Sequence, residues 1–170
     1  EIIKLAEFCN LPIVTAAGHG DAIPFNHKLH AGQMGPRGNP VASRLVKEAN
    51  VILAIGTRLG FNSTFYSYEN INKKAKIVHI ELEKKMLGKY FPIKIGIHAD
   101  AATATKQIYE QIKKNKIEID VKNWTNLYLK ERSKYLIDRD NTNLGKNFPI
   151  QPKGLFKQLR KVLPRNSAIT

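Results

Sequence analysis

The stretch 51–60 (VILAIGTRLG) passes from an apolar run straight into a glycine followed by a hydroxyl and a guanidinium. Gly56 can take a positive φ and let a ligand come close to the backbone, and Arg58 offers a planar fork to a phosphate or carboxylate. A second apolar run, 76–80 (KIVHI), ends on Glu81, where dinucleotide-binding sheets place a ribose-binding acid. This is chemistry for holding an anionic or nucleotide-like ligand; no residue is assigned a catalytic role. Each residue also has a plainer reading. Gly56 and Arg58 can be a turn glycine and a surface arginine paired with a neighbour, Glu81 can cap a helix, and His79 can be a satisfied buried histidine. No metal site is expected, because His27 and His30 lie on a proline-flanked loop without Cys or carboxylate partners at ligand spacing.

The elements that must position these residues alternate along the chain. Apolar residues at positions 2–8 predict a first helix, 11–15 (LPIVT) a short strand, and 16–38, rich in Gly, Pro and His, a long loop. Asn39 is an N-cap with Pro40 at the first helical position, and that helix feeds the strand at Val51. Further strands are expected at 76–80 and 93–97, with a short helix near 84–89 between them. Asp100 caps a helix over 101–114. Continuous apolar strands alternating with helices predict a doubly wound α/β fold in which residues 11–15, 51–55, 76–80 and 93–97 form one parallel sheet. Ligands in such sheets sit outside the carboxyl ends of the strands. Beyond residue 114 the pattern changes to a charged helix over 123–135 containing Trp124 and Tyr128, expected to pack against a neighbouring domain. A polar stretch and an extended, proline-bounded segment at 148–152 follow. An amphipathic helix at 153–163 and a strand-like end at 167–170 close the chain.

Composition bounds the class. The 170 residues are 42% hydrophobic, enough to bury a core, and no stretch approaches the roughly 20 apolar residues of a membrane span. A cytoplasmic protein is expected. The lone Cys9, on the first helix, reads as a packed core thiol. Lys and Arg outnumber Asp and Glu by 28 to 14, a formal charge of +14. The cations of the second half are interleaved with apolar residues at helical spacing, and no nucleic-acid-binding motif accompanies them, so nucleic acid is not expected as a partner. An NAD-dependent dehydrogenase is disfavoured by the lack of a G-x-G-x-x-G between a strand and a helix.

A longer series of ordered features then carries a resemblance: residues 11–15, Gly18 to Pro24, His27 to His30, Gly32-Gln-Met-Gly35, Gly38-Asn-Pro40, Ala49 to Arg58, His79-Ile-Glu81, Gly88, Pro92, Gly96 and Asp100. In that order they resemble the central domain of thiamine-diphosphate-dependent enzymes, with the acetolactate synthase branch the nearest. The resemblance implies residues 1–114 as a Rossmann-like central domain whose first strand lies upstream of Glu1. It implies 115–149 as a linker with one helix, and 150–170 as the start of the carboxy-terminal thiamine-diphosphate-binding domain. It implies thiamine diphosphate and magnesium as cofactors held outside these residues, a 2-oxo acid or aldehyde substrate, a homo-oligomer (dimer or tetramer), and no activity for these residues alone. The sequence contains no Gly-Asp-Gly, the family's magnesium motif.

In acetolactate synthases the central domain carries FAD, and the resemblance places its contacts at Gly35, Arg37, Gly38, Gly56, Thr57, Arg58, Glu81 and Asp100. One departure matters. Where that branch continues with Asp-Asp-Arg, this chain has Gly60-Phe61-Asn62. The stretches 56–60, 86–88 and 92–96 are also similar to sulfoacetaldehyde acetyltransferase, a branch that does without flavin. Both branches, and a non-catalytic nucleotide-binding or spacer role, stay open at the level of sequence.

Overall fold

The computed structural model describes residues 1–141, 149–164 and 166–167. They fall into two compact units, Glu1–Arg132 and Ser133–Thr170. In the first, helix α1 (Ile2–Cys9) leads into strand β1 (Ile13–Thr15), which pairs in parallel with β2 (His30–Gln33). Helix α2 (Pro40–Glu48) then feeds β3 (Val51–Ile55), and a short α3 (Phe61–Thr64) follows. Strands β4 (Lys76–Glu81) and β5 (Ile95–His98) add to β3 in parallel, with Leu53 opposite Val78 and Ile80 opposite Ile97. A 3-10 turn at Lys84–Met86 lies between them, and α4 (Ala101–Lys114) follows β5. The fold is α/β, and every strand pairing among the described residues is parallel, as the unbroken apolar runs of β3 and β4 lead one to expect.

Three expectations need correction. The four strands read from the sequence do not form one hydrogen-bonded sheet: the order is β1-β2 in one sheet and β3-β4-β5 in another. The long loop of 16–38 also contains a strand, β2. Its residues, His30-Ala-Gly-Gln33, carry neither an apolar run nor alternation, so neither strand signal exists there. It is nonetheless almost wholly buried, Ala31 completely so. The last strand sits slightly later than expected, at 95–98 rather than 93–97.

The caps explain the helix starts. Asn39 accepts a hydrogen bond from the Val41 amide at 2.8 Å ahead of Pro40, and Asp100 accepts one from the Thr103 amide at 2.8 Å. One core joins both sheets: Ala31 and Met34 pack with Leu45 and Val46 of α2, Ala54, Leu59, Ile71, Ile77 and Phe91. Tyr128 belongs to this same core. Helix α5 (Lys122–Asp140) therefore begins inside the first unit. Its Thr125 hydroxyl donates to Asn10 O at 2.9 Å, Tyr128 donates to the Glu48 carboxylate, and the Arg132 guanidinium donates to Phe25 O at 2.9 Å. Burial and the Glu48 carboxylate push the Tyr128 phenol up to about 12. Trp124 and Tyr128, 5.0 Å apart edge to face, thus pack the start of this helix into the core of the first unit.

The second unit contains the end of α5 and α6 (Pro152–Val162), whose Lys157 donates to Asp140 O. Residues 149–151 are non-helical as expected. Residues 168–170 of the expected 167–170 strand, and residue 148 of the 148–152 segment, lie outside the described residues. Among the described residues no helix is long and apolar enough to cross a membrane.

Candidate functional site

Every candidate cofactor-binding residue read from the sequence lies at or just beyond the carboxyl end of a strand. Gly35, Arg37 and Gly38 follow β2, Gly56, Thr57 and Arg58 follow β3, Glu81 ends β4, and Asp100 follows β5. The loops are joined in series. Gly35, at φ +107°, is pressed against the loop after β3 so closely that a Cβ there would lie 2.5 Å from Asn62 O. The Ala17 amide, beyond β1, donates to Ser63 Oγ at 3.2 Å. Arg58 reaches across to Glu83 at 3.1 Å, tying the loop after β3 to the loop after β4. Gly56 takes φ +58°, and the nearest atom to a Cβ there would be the Ala101 Cβ at 3.7 Å, at the start of α4.

What these groups can still bind depends on what they have already spent. The Gly35 amide donates to Ser43 Oγ at 3.1 Å, the Gly38 amide to Gly35 O at 2.9 Å and the Gly56 amide to Ile80 O at 2.9 Å. The glycine amides are therefore engaged within the fold, and these glycines serve turning and close packing first. The two guanidiniums differ. Arg58 is exposed but paired with Glu83, which Lys85 also contacts at 2.7 Å. Arg37 is exposed and forms no ion pair among the described residues.

The acids also differ. Glu81 is 9% exposed and its Oε1 accepts the Glu83 amide at 3.1 Å. Hydrogen bonding from the Thr103 amide and hydroxyl holds the Asp100 carboxyl below the usual range. The two helix starts that face this side are consequently unequal: α4 is closed by an anion, α2 by the neutral Asn39. An incoming phosphate is repelled at the first and tolerated at the second.

His79 is buried and fully used: its Nε2–H donates to Thr57 O at 2.9 Å and its Nδ1 accepts the Gly88 amide at 3.3 Å. It holds the loop carrying Arg58 and the turn after β4 in register. Cys9 is buried and unpaired with another cysteine, and burial pushes its thiol up, away from the reactive thiolate. No cluster of metal-ligating side chains occurs among the described residues.

Three residues of this region escaped the sequence reading. Ser43 braces Gly35 and Ser63 receives Ala17, both through single hydroxyls that carry no spacing signal. Thr15, at the carboxyl end of β1, is 4% exposed and its Oγ1 finds no hydrogen-bond partner among the described residues. A buried hydroxyl of this kind costs stability unless something satisfies it. Only its place at a strand end beside Ala16-Ala17-Gly18 could have marked it.

Comparison with known sequences agrees with this architecture. The sequence model of the thiamine pyrophosphate enzyme central domain matches residues 1–108. The chain is 35% identical over 111 residues to a sulfoacetaldehyde acetyltransferase of Roseovarius nubinhibens, covering 64% of the chain and 18% of that protein. It is 26% identical over 193 residues to the same enzyme of Castellaniella defragrans, covering 100% of the chain and 32% of the relative. To a probable acetolactate synthase large subunit of Methanocaldococcus jannaschii it is 30% identical over 165 residues, 96% of the chain and 27% of the relative. The chain thus spans between 18% and 32% of the length of these curated relatives. With this match over parallel strands whose carboxyl-end loops meet, the chain belongs to the thiamine pyrophosphate enzymes, and residues 1–108 are their central domain.

Proposed function

We propose that the full-length protein is a thiamine-diphosphate-dependent, acetolactate synthase-like carboligase acting on a 2-oxo acid or aldehyde, and that this chain is its central, non-catalytic part. The observation that carries the reading is the family match over residues 1–108. Thiamine diphosphate with magnesium supplies the carbanion chemistry, and the residues in hand offer it no metal-ligating cluster among those described. Their work is to hold the crevice after β1 to β5. A cytoplasmic homo-oligomer is part of the same reading. The second reading is acetyl transfer of the sulfoacetaldehyde acetyltransferase kind. It is favoured by relatives of that name and by Gly60-Phe61-Asn62.

A nucleotide such as FAD would meet these loops in one orientation. Its diphosphate would lie beside Arg37, which forms no ion pair among the described residues, and the neutral α2 start; hydroxyl-bearing parts would lie toward Glu81 and Asp100. Arg58, already shared with Glu83, is the weaker anchor. Flavin absorbance of the purified full-length protein tests this. If FAD is present, Arg37→Ala lowers its affinity about tenfold to a hundredfold, the worth of a charge-assisted hydrogen bond, and Arg58→Ala lowers it less. A colourless protein that still turns over retires FAD and leaves the family reading standing. Assaying pyruvate against sulfoacetaldehyde as substrates separates the two activities.

A further inference from the structure

The segment 24–30, which leads from the Ala17 loop into β2, and the part of α5 inside the first unit meet at one carbonyl. Phe25 O accepts the Arg132 guanidinium at 2.9 Å and stands 3.3 Å from His30 Nδ1. A carbonyl oxygen can only accept, so the imidazole proton sits on Nδ1 and the lone pair on Nε2. That Nε2 is buried and has no hydrogen-bond partner among the described residues. The Phe25 ring joins the same two side chains a second time: it stands edge to face with the imidazole at 5.9 Å and lies under the Arg132 guanidinium at 5.2 Å.

The charged groups around this junction offer a protonated His30 no acid. From α1, Glu7 is drawn to His27 Nε2 at 3.5 Å and Lys28 Nζ at 3.0 Å. From α2, Arg44 and Glu48 are engaged with Glu131 and Tyr128 of α5. From β1, the apolar Ile13 stands opposite His30. A proton taken up at Nε2 therefore makes a buried donor without an acceptor, and puts a second cation on the carbonyl that Arg132 already holds. Burial keeps the His30 pKa below its ordinary value; the bond to Phe25 O opposes this, and Arg132 and His27 add to it. The two partners differ in freedom: His30 is 2% exposed and fixed by β2, whereas Arg132 is partly exposed and can return to water.

We infer that His30 is an acid-released latch on α5: proton uptake at Nε2 expels the Arg132 guanidinium from Phe25 O, loosens the α5 turn at 129–132 and frees the segment 24–30. The latch is shut above the ordinary histidine value of about 6.5 and opens as pH falls below it. The Thr125 and Tyr128 anchors of α5 do not involve His30 and hold on. Because 24–30 leads into β2, acid slackens the β1-β2 side of the crevice and leaves β3 and β4 in place. The inference stands whichever reaction the full-length protein carries out.

Amide hydrogen exchange of the full-length protein at pH 7.5 and pH 5.5, corrected for intrinsic rates, is the test. The expected result is that segments 24–30 and 129–132 exchange about tenfold or more faster at pH 5.5, while β3 and β4 do not change. His30→Gln, whose side-chain amide can still donate to Phe25 O but takes up no proton, should lose the response. Arg132→Gln should be open at pH 7.5 and gain nothing more in acid, which decides the matter if His30→Gln fails to fold. Equal exchange of the wild-type segments at both pH values would overturn the latch. So would an acid response spread evenly over the first unit, or one that survives in either variant.

Discussion

The loop after β2 and the loop after β3 both turn on glycines, yet they turn for different reasons. At Gly35 a positive φ coincides with a backbone oxygen 2.5 Å from where a Cβ would stand, so the residue is held by its neighbours as well as by its own dihedral. At Gly56 the φ is positive but there is room for a methyl group against Ala101. The first glycine is a packing joint between the two sheets; the second is a turn. The Gly56 loop, the more conspicuous in sequence, is therefore the more tolerant of change.

Substitutions can break that contrast. Gly35→Ala must displace Asn62 or its own loop and is expected to cost about 2–3 kcal/mol, as strained backbone and overpacking together do; chemical denaturation reads it. Asn39→Ala loses the α2 cap and the Asn39 contact with Ala31 O, about 1–2 kcal/mol by the same measurement. Gly56→Ala carries only the left-handed backbone penalty, about 1 kcal/mol. If Gly56→Ala proves as damaging as Gly35→Ala, the distinction between joint and turn is wrong.

The β1-β2 side also carries a pH signature of its own. His30 is 2% exposed, its Nδ1 meets Phe25 O at 3.3 Å, and burial lowers its pKa. The folded state therefore binds a proton less readily than the unfolded chain. Stability is full above the unfolded value of about 6.5 and falls as pH drops below it, by up to about tenfold in the folding equilibrium per pH unit. Melting temperature followed from pH 7.5 to 5 should show this fall, and His30→Gln should flatten it even if it lowers the plateau.

The same contrast explains how much was legible. Strands β3 and β4 declare themselves as apolar runs, and α2 and α4 by Asn39-Pro40 and Asp100, so the sequence alone places Gly56, Arg58, Glu81 and Asp100 at strand ends. Strand β2 has no such signal, because His30, Gly32 and Gln33 are polar or small and their burial comes only from tertiary contacts. The place of Tyr128 in the core is not legible either, because a charged helix far along the chain gives no hint that its first turns enter it. The engagement of the glycine amides was invisible too, since it depends on Ser43 and on loop closure rather than on residue type.

The central claim, that this chain is a positioning part of a thiamine-diphosphate enzyme and holds none of that cofactor itself, is tested most directly by calorimetric titration of thiamine diphosphate with magnesium. The account predicts saturable binding by the full-length protein and only heats of dilution with the 170-residue chain. Saturable binding by the 170-residue chain alone, or none by the full-length protein, would contradict it.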